Sequence, residues 1–206
     1  MPYRICRASV LILIFRFAAS TLSQSPTAIN LSNVTPETAF VSRSQYTNAF
    51  FGFSLPLPQG APLQEFSIRP GDASKHFLFG VKALTRGLSM MTVGATKSEN
   101  GSAEEARKAS SGPNRLVAKP VEIGGREFWK CQSQENGPGG KMRRVCFASV
   151  VNGYVLQFNI DSFDARLAEE LQRSIEAITF FDPEKAQEVA GPGSRAYNPA
   201  ATHSPQ

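Results

Sequence analysis

The chain has 206 residues, 41% of them hydrophobic and 19% charged, which is enough for one domain with a sizeable core and too apolar for a disordered polymer. Its formal net charge of +5 falls to a balance of 19 basic and 17 acidic residues beyond the first 23, where Arg4, Arg7 and Arg16 stand without an acid. That balance excludes a general nucleic-acid binder, whose affinity comes from neutralising many phosphates.

Arg4 and Arg7 precede the apolar run Val10-Leu11-Ile12-Leu13-Ile14-Phe15, and Ala18-Ala19-Ser20 follows. A positive start, a short apolar stretch and small residues at its exit make residues 1–23 a signal peptide, processed between Ser20 and Ser25. Arg16 is the one departure from that pattern. An exported protein is expected, periplasmic or secreted. The apolar run is too short for a lasting anchor, so no stable membrane span is expected after processing. Cys6 lies ahead of the run, where a lipoprotein cysteine would not be. Residues 24–44 mix Ser, Thr, Asn and Pro with little periodicity and read as a linker.

Residues 45–183 read as a single α+β domain with a central antiparallel sheet and helices on its faces. Residues 50–55 alternate and stop at Pro56, predicting a first strand. Residues 76–84 and 88–96 form a hairpin around Arg86-Gly87. Ser102 followed by Glu105 opens a short helix that Gly112-Pro113 must end. Residues 115–123 and 126–134 flank Gly124-Gly125, a pair suited to a tight turn. Residues 141–151 and 154–160 flank Asn152-Gly153, the strongest short hairpin signal. With Val151 opposite Tyr154, one face carries Val145, Phe147, Val151, Tyr154, Leu156, Phe158 and Ile160. The other carries Cys146, Ala148, Val150, Val155, Gln157 and Asn159. Asp161 to Asp164 offer caps for a helix through Ala177, whose Leu167, Leu171 and Ile175 form an apolar stripe. A last strand covers residues 178–181. Residues 184–206, rich in Ala, Gly, Pro and Ser, are expected to fray as a tail. Several of the 15 Phe sit in alternating runs such as Phe51, Phe53, Leu55, which reads as sheet core.

Cys131 lies as far before the midpoint of Pro138-Gly139 as Cys146 lies after it. A turn centred there sets the two cysteines opposite each other on neighbouring strands, with Trp129 opposite Ala148. In the non-hydrogen-bonded class such residues approach to roughly 4.5 Å between Cα atoms, close enough for a disulfide. A disulfide is therefore expected in an oxidising compartment, against the alternative of two buried thiols. Lys130, Lys141, Arg143 and Arg144 gather around the same hairpin, either as a surface for an acidic partner or as charges that keep a sheet edge soluble.

Chemistry has few candidates. His76 and His203 are the only histidines, and there is no G-x-S-x-G or H-E-x-x-H. Gly137-Pro138-Gly139-Gly140-Lys141 looks like a phosphate loop, but Met142 follows the lysine and the setting is a hairpin. No catalytic residue, metal site or cofactor is assigned.

The run Tyr46-Thr47-Asn48-Ala49-Phe50-Phe51-Gly52-Phe53-Ser54-Leu55-Pro56 resembles the opening strand of the PsbP-like superfamily. Ile123-Gly124-Gly125-Arg126-Glu127-Phe128, the turn at Asn152-Gly153-Tyr154 and residues 175–181 are similar to its later hairpins and closing helix and strand. The resemblance implies an α/β/α sandwich around an antiparallel sheet, in a family of mostly non-enzymatic proteins. The function expected is a non-catalytic binding or assembly module for an envelope or extracellular protein. The alternative is a carrier of a small hydrophobic ligand held between sheet and helix.

Overall fold

The computed structural model describes residues 34–112, 116–137 and 140–199. The expected signal peptide, Cys6 and His203 lie outside them. In chain order the elements begin with β1 (Ala39–Val41), β2 (Gln45–Asn48), β3 (Phe53–Pro56) and β4 (Gln64–Glu65). The long strands β5 (Lys75–Leu84) and β6 (Leu88–Lys97) lead into helix α1 (Ala103–Ser111). Then come β7 (Lys119–Ile123), β8 (Arg126–Gly137), β9 (Gly140–Val151) and β10 (Tyr154–Ser162). Helix α2 (Ala165–Glu176), β11 (Thr179–Phe180), a 3-10 turn (Pro183–Lys185), α3 (Ala186–Ala190) and β12 (Arg195–Tyr197) complete the chain.

Tight turns set the larger sheet. Asn152 and Gly153 have φ of 51° and 76°, and they hold Tyr154 opposite Val151 as their types predict. The sheet runs in the order β4-β5-β6-β10-β9-β8-β7, every pair antiparallel. Strict alternation then divides β9 and β10 into the two faces read from sequence. Val145, Phe147, Leu156, Phe158 and Ile160 are fully buried on one of them. Against it packs α2 through Leu167, Leu171 and Ile175. Asp164 caps that helix, its Oδ1 accepting from the backbone of Arg166 and Leu167. Helix α1 takes the opposite face, with Ala106 packed on Ala148 and Val155.

The face under α2 is shared with a second sheet that local patterning does not announce, ordered β11-β3-β2-β1-β12. Two expectations are corrected by it. The stretch read as a linker over 24–44 supplies β1, and the stretch read as a tail over 184–206 supplies the 3-10 turn, α3 and β12. These ends pair with each other, Phe40 opposite Ala196. Three-residue strands are too short to show a period, and their partners lie at the far end of the chain, so nothing local marks them. Tyr197, buried in this sheet, meets Tyr46 edge-on with centroids 5.9 Å apart. Tyr46 in turn stacks on Phe79 at 4.4 Å, and Phe53 meets Phe158 at 5.5 Å, which joins the two sheets through aromatic rings. Phe40, Phe51, Phe53, Phe79, Phe128, Phe147 and Phe158 are buried, and Phe50, Phe180 and Phe181 pack against the core clusters.

Candidate functional site

The register of β8 and β9 places Cys131 directly opposite Cys146 and Trp129 opposite Ala148, as the turn arithmetic requires. Both cysteines point to the α1 face and both are buried. The two sulfurs are not bonded to each other in this structure. Their register sets directly opposed Cα atoms roughly 4.5–5.5 Å apart, a separation within the range that a disulfide spans. Burial pushes the Cys146 thiol up to about 12, the neighbouring Cys131 adding to it, and burial also raises Cys131. Both are protonated and weakly nucleophilic at neutral pH.

Under the last turn of α1 a cavity of about 220 Å³ opens onto these sulfurs, lined by Ser110, Ser111, Leu116, Cys131, Ser133, Arg144, Cys146 and Asn159. Ser102 caps α1 by accepting from the backbone of Glu105. The Glu105 carboxylate accepts from Ser98 and from the backbone of Glu99 and Asn100, tying the helix to the end of β6. Gln157 donates to the Ala109 carbonyl at 3.2 Å, which fixes the other end of the helix on the sheet. Ser133 Oγ is buried without a hydrogen-bond partner among the described residues. Sequence reading singled out the cysteines but not this cavity. Its one trace was polar Gln157 and Asn159 interrupting the otherwise apolar face of β10.

The same face continues uncovered over β5 and β6. There a second groove of about 230 Å³ has Thr92, Gly94 and Thr96 as its floor and Phe77, Ile68 and Pro70 along its side. Ile68 is 54% exposed, and Asn159 lines both hollows.

The four cations expected to form one surface are divided by the alternation of the strands. Lys130, Lys141 and Arg143 fall on the α2 face and Arg144 on the α1 face. Lys130 pairs with Glu176 at 2.9 Å and lies over the Phe147 ring. Arg143 reaches Gln172 at 2.8 Å and Glu169 at 3.5 Å. Arg144 binds Asp161 at 2.7 Å and Glu135 at 3.1 Å. Lys141 is exposed at the hairpin end. His76 is a rim group: its Nδ1 lies 2.6 Å from Glu37 Oε1 and its ring meets Tyr154 edge-on. Burial would raise Glu37, but the His76 hydrogen bond and charge, with backbone and Thr35 bonds, hold its carboxyl below the usual value. No helix among the described residues is long and apolar enough to cross a membrane.

No family model and no curated protein matches the chain. Solved structures to which it is similar include a Bacteroides thetaiotaomicron VPI-5482 protein, at 14% identity and TM-score 0.45, covering 71% of this chain and 49% of that one. The chain therefore spans about half the length of that protein. Cyanobacterial PsbP from Synechocystis sp. PCC 6803 is similar at 10% identity and TM-score 0.47, over 68% of this chain and 95% of that one. LpqN of Mycobacterium tuberculosis, described as involved in cell envelope biogenesis, is similar at 14% identity and TM-score 0.39, over 60% and 89%. A PsbP protein is thus among the solved folds that this chain is similar to.

Proposed function

We propose that this chain is an exported, non-catalytic binding module that receives part of an envelope or extracellular protein on the α1-bearing face of its larger sheet. The observation that carries the reading is the uneven cover of that face. α1 closes over β8, β9 and β10, whereas β5 and β6 present a groove floored by Thr92, Gly94 and Thr96. Gly94 leaves depth there, and Phe77 and exposed Ile68 offer apolar contact beside it. A partner's apolar side chain fits such a hollow while its backbone meets the threonine hydroxyls. The settings of the reactive groups support a non-catalytic role. His76 is engaged by Glu37, and the two thiols are held protonated. Export rests on the composition of residues 1–23.

A photo-crosslinking residue at Thr92, with Glu122 on the edge strand as control, tests the surface in the native envelope. One defined protein adduct is expected at position 92, absent at 122 and abolished by Phe77→Asp. Equal adducts from both positions, or none from position 92, would refute the reading.

The cavity under α1 favours a second reading, a carrier of a small ligand. At about 220 Å³ it lies below the usual range of roughly 300–1,000 Å³ for drug-sized ligands, so only a compact solute fits. Native mass spectrometry of the purified chain would then show a stoichiometric bound solute that is lost when Ser110→Leu fills the space.

A further inference from the structure

Two sulfurs borne by adjacent strands of one rigid sheet, pointing to the same side and opening on the same cavity, form a ready chelate. In the reduced chain both sulfurs are available as donors. The donor count decides which ion suits them. Structural zinc requires four ligands, and among the described residues no group of three or more His, Cys, Asp or Glu is placed to hold a metal. A hard cation such as Ca²⁺ or Mg²⁺ requires oxygen ligands. A soft, low-coordinate ion is what two thiolates select, and Cu(I) is the biological example.

We propose that Cys131 and Cys146 form a two-coordinate Cu(I) site at the inner wall of the cavity beneath α1. Binding breaks two S–H bonds and makes two S–Cu bonds. Both protons leave to solvent and copper stays in its +1 state, so no oxidant or reductant takes part. The bis-thiolate carries one net negative charge. Arg144, two residues before Cys146 on the same face of β9, lines the same cavity. Asp161 and Glu135 hold Arg144 in place at 2.7 and 3.1 Å. Because two protons are released per ion, apparent affinity falls about 100-fold for each unit of pH lowered.

The test is an anaerobic titration of the full-length reduced chain with Cu(I), partitioned against the chelator bicinchoninate. One ion per chain is expected, with affinity reduced more than about 100-fold in Cys131→Ser and in Cys146→Ser. Cys6→Ser is expected to leave it unchanged. X-ray absorption on the loaded wild-type chain, which depends on no variant folding, is expected to show two sulfur neighbours. Retention of copper in either serine variant, dependence on Cys6, nitrogen or oxygen ligands at copper, or equal retention of Zn(II) would each overturn the assignment.

Discussion

Cys146 shows how one residue's surroundings set its chemistry. With burial holding its thiol at about 12 against an ordinary 9.0, the folded state favours the protonated form. Its contribution to stability is therefore complete below pH 9 and is lost as pH rises toward 12. Wild type should lose stability relative to Cys146→Ser across that window, and matched denaturant melts at pH 8 and pH 11 check it. Alkylation of the folded chain at pH 8 should run at least about 10-fold slower at both cysteines than after unfolding, followed by mass spectrometry of the labelled peptides. Glu37 has the opposite sign. Its carboxyl is held below the ordinary 4.5, so its contribution is present above that value and lost as pH falls through the lower folded value. Glu37→Gln should remove this acid sensitivity, seen as converging melts of variant and wild type below pH 4.

At the scale of elements, turns and caps were the most legible features because their signals are local. Asn152-Gly153 and Gly124-Gly125 both form the tight hairpins that their residue types require. They differ in surroundings. A Cβ at Gly153 meets nothing within 4 Å, so a substitution there costs only backbone strain, about 1–2 kcal/mol for Gly153→Ala and more for the β-branched Gly153→Val. A Cβ at Gly124 would sit 2.7 Å from the Ile178 carbonyl, so Gly124→Ala should cost more than Gly153→Ala in urea unfolding. Strand limits were less legible. The first strand expected over 50–55 is β3 at 53–56, because Asn48 Oδ1 accepts from the backbone of Phe51 and holds Phe50 and Phe51 in a turn. The strand expected from 115 begins at Lys119. In the first case a side-chain bond set the limit, and in the second the Leu116 N–H donates to the Ser111 carbonyl at the end of α1 instead of to a strand.

For the whole molecule, the pairing of the chain ends is the feature with most consequence. Removing residues 186–206 takes away α3, β12 and the buried Tyr197, whose ring touches Tyr46 and Phe79. Loss of that aromatic alone should cost about 3–5 kcal/mol, so the truncated chain should unfold at clearly lower denaturant than the intact one. A frayed tail would leave the midpoint unmoved.

By itself the sequence determined the antiparallel hairpins, the two faces of β9 and β10, helices α1 and α2 and the opposition of Cys131 to Cys146. Each follows from a turn residue, a cap or a period of two that neighbours in the chain impose on one another. The tertiary structure alone decided the second sheet, the cavity under α1 and the division of the four cations between two faces. Those depend on which distant segments meet, and a three-residue strand or a polar Asn159 acquires meaning only from what packs against it. The cysteines belong to both, since their register was written in the chain while their burial came from the sheet and the helix packed over it.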